Sequence, residues 1–220
     1  MPAHCRRPVL CALWATLATM PALATEDYAS LYQRLQGGDT TVDFRALRFA
    51  YAGTPAYAPN RPTMLEHRRA VQKALSESKF DVAASRVDAW LAEDPLNPFA
   101  HLGAARVFDK NGQAEKAKFH DAVAQGIGKS ICGPGEGQDE AKPCPVISID
   151  EELFYLAMFG FKFEGQHGQL CSDGTACDVI DVTDPKTKKG YVLYMDISRP
   201  LARLQGDQGK AEAPPPPPPP

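Results

Sequence analysis

The chain has 220 residues, 24 basic and 27 acidic side chains, a formal net charge of −3 and 44% hydrophobic residues. That length supports one compact domain or a domain with a subdomain, and the mild acidity leaves no polybasic footprint for nucleic acid or anionic lipid. Beyond the N-terminus no apolar stretch approaches the roughly 20 residues needed to span a bilayer, so no stable membrane insertion is expected of the mature chain.

Arg6 and Arg7, the apolar run 9–20 and the triplet Ala22-Leu23-Ala24 follow the order of a secretory signal peptide. Glu26 and Asp27 end the apolar run, which argues against the competing reading of an uncleaved anchor. Cleavage is predicted after Ala24, leaving Thr25 first and removing Cys5 and Cys11. No cysteine stands at the junction to carry a lipid. The remaining 22 basic and 27 acidic residues give a net charge of −5. These signs predict a periplasmic or secreted protein.

Four cysteines then remain: Cys132, Cys144, Cys171 and Cys177. An even count in an exported chain predicts disulfides. Three connectivities are possible; Cys132–Cys144 with Cys171–Cys177 is favoured because each pair closes a short segment rich in Gly, Pro and Asp. A zinc or redox site would need closer spacing, such as Cys-x-x-Cys, which is absent.

Helices are predicted over 27–35, with Leu31 and Leu35 on one side, and over 43–51, with Phe44, Leu47 and Tyr51 aligned and Asp39-Thr40-Thr41 as cap. Pro- and Gly-rich breaks leave Tyr57 in a loop before a helix over 63–76. Ser78 and Asp81 predict a capped helix over 79–93, followed by helices over 98–110, with Pro98 in its first turn, and 114–125, stopped by Gly126. A spacing of 34 residues relates Ala83 to Ala117 and Ser78 to Gly112, and the Asp94-to-His101 stretch resembles a tetratricopeptide repeat junction. One and a half repeats cannot form a solenoid, so this part must pack on something else.

Loop is predicted over 127–145 and a brief strand at Val146-Ile147. A helix capped by Ser148 and Glu151 then runs to Gly160, and strands follow over 161–171, 176–182 and 190–197. Beyond Leu204 the polar, Gly-rich composition and the proline run 214–220 predict a disordered, polyproline II-prone tail. The segments are therefore 1–24 signal, 25–77 N-terminal helices, 78–126 tetratricopeptide-like helices, 127–203 disulfide loop, helix and sheet, and 204–220 tail. The fold class is α+β: helix pairs followed by a helix and a small antiparallel meander.

Several segments in order carry a family resemblance. They are the stretch from Asp43 to Tyr51 with Tyr57-Ala58-Pro59, the Gly-Glu-Gly loop after Ser130-Ile131, Glu151-Glu152-Leu153 with Gly160-Phe161, and the strands containing Cys177-Asp178-Val179 and Tyr194-Met195-Asp196. Together they resemble the exported bacterial family called domain of unknown function 4919. The four cysteines and the proline tail depart from its pattern. The resemblance implies fold and export, and no catalytic residue.

Motif chemistry is sparse. No Gly-x-Ser-x-Gly elbow, His-Glu-x-x-His or phosphate loop is present. His67, His101, His120 and His167 are scattered, and His101 reads as a packing residue between helices. Loop residues Gly133, Gly135, Glu136 and Gly137 form the best binding candidate, through backbone amides for an anion or carboxylates for calcium; a plain disulfide-tied loop is the competing reading. No catalytic or metal-binding residue and no cofactor is implied. The preferred function is a non-catalytic envelope module meeting a protein or peptide through its helical groove and the aromatics near Tyr51 and Tyr57. The alternative is an envelope hydrolase with its site beside loop 133–137 and His67 or His167 as base.

Overall fold

The computed structural model describes residues 27–211; the predicted signal sequence and the proline run lie outside the described residues. Short helices α1 (Tyr28–Gln36) and α2 (Phe44–Ala52) come first. Each starts at an aspartate, Asp27 or Asp43, whose carboxylate accepts from the amide three residues on. Asp43 thus replaces the expected Asp39-Thr40-Thr41 cap, because Asp39 is held by Thr41 and by an ion pair to Arg34. The predicted apolar faces are buried: Leu31, Leu35, Phe44, Leu47 and Tyr51 share a core with Val123, Ile127 and Ile147.

Helices α3 (Met64–Ser76), α4 (Phe80–Glu93) and α5 (Pro98–Lys110) pack in sequence around Val71, Ala83, Val87, Trp90, Ala104 and Val107. Ser78 does not cap α4. It adopts the left-handed conformation (φ 55°) that closes the turn after α3, and Lys79 takes the cap position with no side-chain bond. Asn97 caps α5, accepting from the Ala100 amide at 3.0 Å, with Pro98 in the first turn as expected.

The largest departure from the sequence reading is α6 (Ala114–Ile131), which runs through Gly126 instead of stopping there. A Cβ at Gly126 would lie 2.2 Å from the Phe44 ring, and one at Gly128 would lie 2.6 Å from Met158 Sδ. These glycines are notches in a continuous helix. An internal glycine costs roughly 1 kcal/mol of helix propensity, and the close approach of Phe44 and of Phe154 and Met158 offsets it. The loop expected from residue 127 therefore begins only at Cys132.

Strand β1 (Cys144–Pro145) lies two residues earlier than expected, and α7 (Ile149–Phe159) ends at Gly160 in the left-handed conformation. Strands β2 (Lys162–Leu170), β3 (Ala176–Thr183) and β4 (Gly190–Asp196) form the predicted antiparallel meander. The sheet has a fourth member, since β1 pairs parallel to β4 in the order β1-β4-β3-β2. Pro145 can sit on that edge because no ladder donor is needed there. Ile180, Val182, Leu193 and Met195 turn toward Ile131, Val146 and Leu156 as a third core. A helix absent from the sequence reading, α8 (Ser198–Ala211), continues from β4 into the stretch expected as tail. The disulfides join Cys132 to Cys144 and Cys171 to Cys177, the favoured connectivity.

Candidate functional site

The loop of Gly133, Gly135, Glu136 and Gly137 has its Glu136 carboxylate and the Gly137 backbone bonded within the disulfide segment and to Arg45 and Tyr194. The Glu136 carboxylate accepts two bonds from Arg45, at 2.8 and 2.9 Å, and one from the Gly133 amide at 2.7 Å. These partners hold its pKa below the ordinary value in spite of partial burial. The Gly137 amide donates to Lys142 O, and Gly137 O accepts from the Tyr194 amide. Gly137 has φ 79°, and a Cβ there would lie 2.4 Å from Cys144 Sγ, so the disulfide requires glycine. The loop is a strut that fixes one wall of a groove; its Glu136 carboxylate is committed to Arg45.

That groove, of about 600 Å³, runs along β4 and is lined by Glu136 and Gln138 on the loop, Tyr155, Phe159 and Phe161 around the end of α7, and Tyr191 to Tyr194. Asp184, Lys186 and Lys189 close its far end. The rings form a continuous file: Tyr155–Phe159, Phe159–Phe161 and Phe161–Tyr191 have centroids 4.7, 6.3 and 5.9 Å apart. Lys189 Nζ stands 4.9 Å from the Tyr191 ring centre. Phe159 is 55% exposed, which a soluble surface rarely grants a phenylalanine in such a file.

The strand backbone contributes as well. In an antiparallel ladder, alternate residues point both backbone groups toward or away from the partner strand. The Tyr194 amide points away from β3, to Gly137 O, so the N–H and C=O of Val192 also point away, into the groove. Among the described residues they have no partner, and neither do the hydroxyls of Tyr155, Tyr191 and Tyr194. Sequence reasoning missed this site. Its residues come from three separate segments, and Phe159-Gly160-Phe161 with Tyr191-Val192-Leu193-Tyr194 was the signal available.

The other expected residues are dispersed. Tyr51 and Tyr57 are 2% and 3% exposed, buried rather than surface aromatics, and Tyr57 donates to Ile147 O at 2.6 Å. His67 lies on α3 with Nε2 3.0 Å from Glu93 Oε1, and His167 is exposed on β2; neither lines the groove beside loop 133–137. Glu93 also accepts from the Thr63 hydroxyl at 2.7 Å, through its other oxygen. The helical part has a smaller groove of about 260 Å³ over Val71, Trp90 and Phe99, where Arg68 is held by Asp150 and by the Phe99 ring.

Two histidines do meet. His101 Nδ1 and His120 Nδ1 are 2.9 Å apart, and His101 Nε2 is 3.0 Å from Pro95 O. Burial lowers the His101 pKa to about 4 and that of His120 as well, so both rings are neutral near pH 7. Pro95 O can only accept, which puts the His101 proton on Nε2 and makes His120 the donor to Nδ1. His120 Nε2 then carries a lone pair beside a cleft whose lining includes Tyr32, Leu35, Leu91 and Phe119 and no Ser, Thr or Cys. Among the described residues, no group of three or more His, Cys, Asp or Glu is placed to hold a metal ion.

An α+β domain with a disulfide-braced aromatic groove on its sheet edge is the class that fold and site define. The chain belongs to the family described as Domain of unknown function (DUF4919), whose model matches residues 22–205. No curated protein and no solved structure matches it. Two disulfides, and no helix among the described residues long and apolar enough to cross a membrane, are compatible with an extracellular or periplasmic protein.

Proposed function

We propose that this protein is a non-catalytic interaction module of the cell envelope, exported by its N-terminal signal, and that it binds an extended peptide segment in the groove along β4. The observation carrying this reading is the open strand edge at Val192 flanked by a file of four aromatic rings. An extended chain needs backbone partners and flat apolar surfaces, and this groove offers both. The Arg45–Glu136 pair and the Cys132–Cys144 bridge hold the loop wall in place before a ligand arrives, which lowers the ordering cost of binding. The tetratricopeptide-like helices serve in this reading as the support on which the sheet is mounted.

The test is selection of a displayed library of extended decapeptides on the oxidised protein, followed by titration of the selected peptides. Tyr191→Ala and Phe159→Ala are each expected to weaken binding at least about tenfold, the effect of losing one buried aromatic anchor. Selected peptides that bind both variants as tightly as the parent would move the site elsewhere.

A further inference from the structure

The groove's chemistry selects among extended peptides. Among the groups it leaves open, the Tyr155 and Tyr191 hydroxyls, the Gln138 amide and the Val192 N–H can each donate a hydrogen bond, beside the ammonium groups of Lys186 and Lys189. A ligand rich in acceptors can use those donors. A proline run has carbonyls and no N–H groups, its φ is fixed, and its pyrrolidine rings stack on aromatic faces at little entropic cost. The chain carries such a run itself, the seven prolines at 214–220.

Resting on the reading of the groove as a peptide site, we infer that its ligand class is the polyproline segment, and that its occupant is the run 214–220 of a second copy of this chain. Geometry favours the second copy over the same one. Arg45, near the start of α2, meets Glu136 at the groove. Arg199 at the start of α8 lies 4.6 Å from the Phe49 ring centre, and Arg203 donates to Pro55 O beyond the end of α2. Helix α8 therefore leads away from the groove. Its 14 residues extend about 21 Å at 1.5 Å each, whereas the nine residues 212–220 reach about 28 Å as polyproline II. Returning along the helix leaves about two prolines for the groove, against the four or more that a file of four rings can engage. A neighbouring molecule has no such limit. Each copy carries one groove and one run, so two copies can exchange runs reciprocally.

The experiment compares the full chain with one ending at Ala213 by sedimentation over a concentration series. It also titrates the shortened chain with a synthetic peptide of the sequence 212–220, followed by tyrosine fluorescence. The expected result is reversible dimerisation of the full chain, its loss on shortening, and saturable peptide binding weakened at least about tenfold by Tyr191→Ala and by Phe159→Ala. Far-UV circular dichroism identifies any variant that has lost its fold, and the other variant then decides. Equal self-association of the shortened chain, or no peptide binding at millimolar concentration, overturns the inference. A monomeric full chain that binds the added peptide more weakly than the shortened chain also overturns it, by showing occupancy within one molecule. If the proline peptide fails while library-selected peptides still bind the groove, the inference falls and the broader reading stands; if both fail, both fall.

Discussion

Two polar clusters flank the Cys132–Cys144 loop and differ in what they leave unused. Around Arg48, fully buried, all five guanidinium donors are taken: Glu151 receives two, Ser130 two and Pro145 O one. Glu151 accepts in addition from the Ile147 amide at 2.8 Å. This hub ties α2, α6, β1 and α7 together and offers nothing to a ligand. Along β4 the tyrosine hydroxyls and the strand edge at Val192 are left open between aromatic rings. A buried charge must be matched to be tolerated, whereas a recognition surface must be unmatched to be useful. Which groups are already satisfied therefore separates scaffold from site more sharply than residue type does.

Four measurements can break or sharpen that contrast. The largest effect is expected for Arg48→Ala, which leaves the buried Glu151 carboxylate without its partner and should cost about 3–5 kcal/mol in urea unfolding. A loss below ~1 kcal/mol would mean that the hub is no scaffold. Replacing both Cys132 and Cys144 by Ala should cost about 2–3 kcal/mol through the closed 12-residue separation, and should also weaken peptide binding by freeing the loop wall.

The third concerns Glu152, one position beyond the hub carboxylate and 2% exposed. Burial first, then Asp178 and Glu151, push its carboxyl from 4.5 up to about 8. The folded chain keeps a proton that the unfolded chain releases near pH 4.5, so stability falls as pH rises through that window to about 8. Glu152→Gln should flatten this slope and raise stability by about 1 kcal/mol or more at pH 8; an unchanged slope would assign it to other groups. The smallest effect is Tyr191→Ala, expected to shift stability by less than about 0.5 kcal/mol while weakening binding. A large loss of stability would make the aromatic file part of the core.

Much of the scaffold was legible in the residues. The pairs Leu31/Leu35 and Ala83/Val87, the Ser148 cap, the Gly160 stop and the short cysteine spacings are local signals, and α1, α4 and α7 formed within a residue or two of their expected places. The failures occurred where a distant partner decides. Gly126 reads as a stop until Phe44 is seen against it. Glu151 reads as half of a capping pair, and its amide does donate to the Ser148 hydroxyl, but its carboxylate goes to Arg48, 103 positions away. Helix α8 was missed because Pro200, Gly206 and Gly209 argue against helix locally, although Pro200 falls in the tolerant first turn. The groove was illegible for the same reason, since no short window contains two of its walls. His101 and His120 sit 19 positions apart on neighbouring helices, and only the packing of α5 on α6 closes that distance.

The two notches in α6 have a mechanical consequence. Residues two apart on a helix point about 200° from one another, so Gly126 and Gly128 receive Phe44 and the Phe154–Met158 pair from nearly opposite sides. A helix keyed on both flanks can neither rotate nor slide by a residue without driving a ring into its own backbone. It is keyed between α2 and α7, so any side chain larger than hydrogen at either notch would push one of those helices outward.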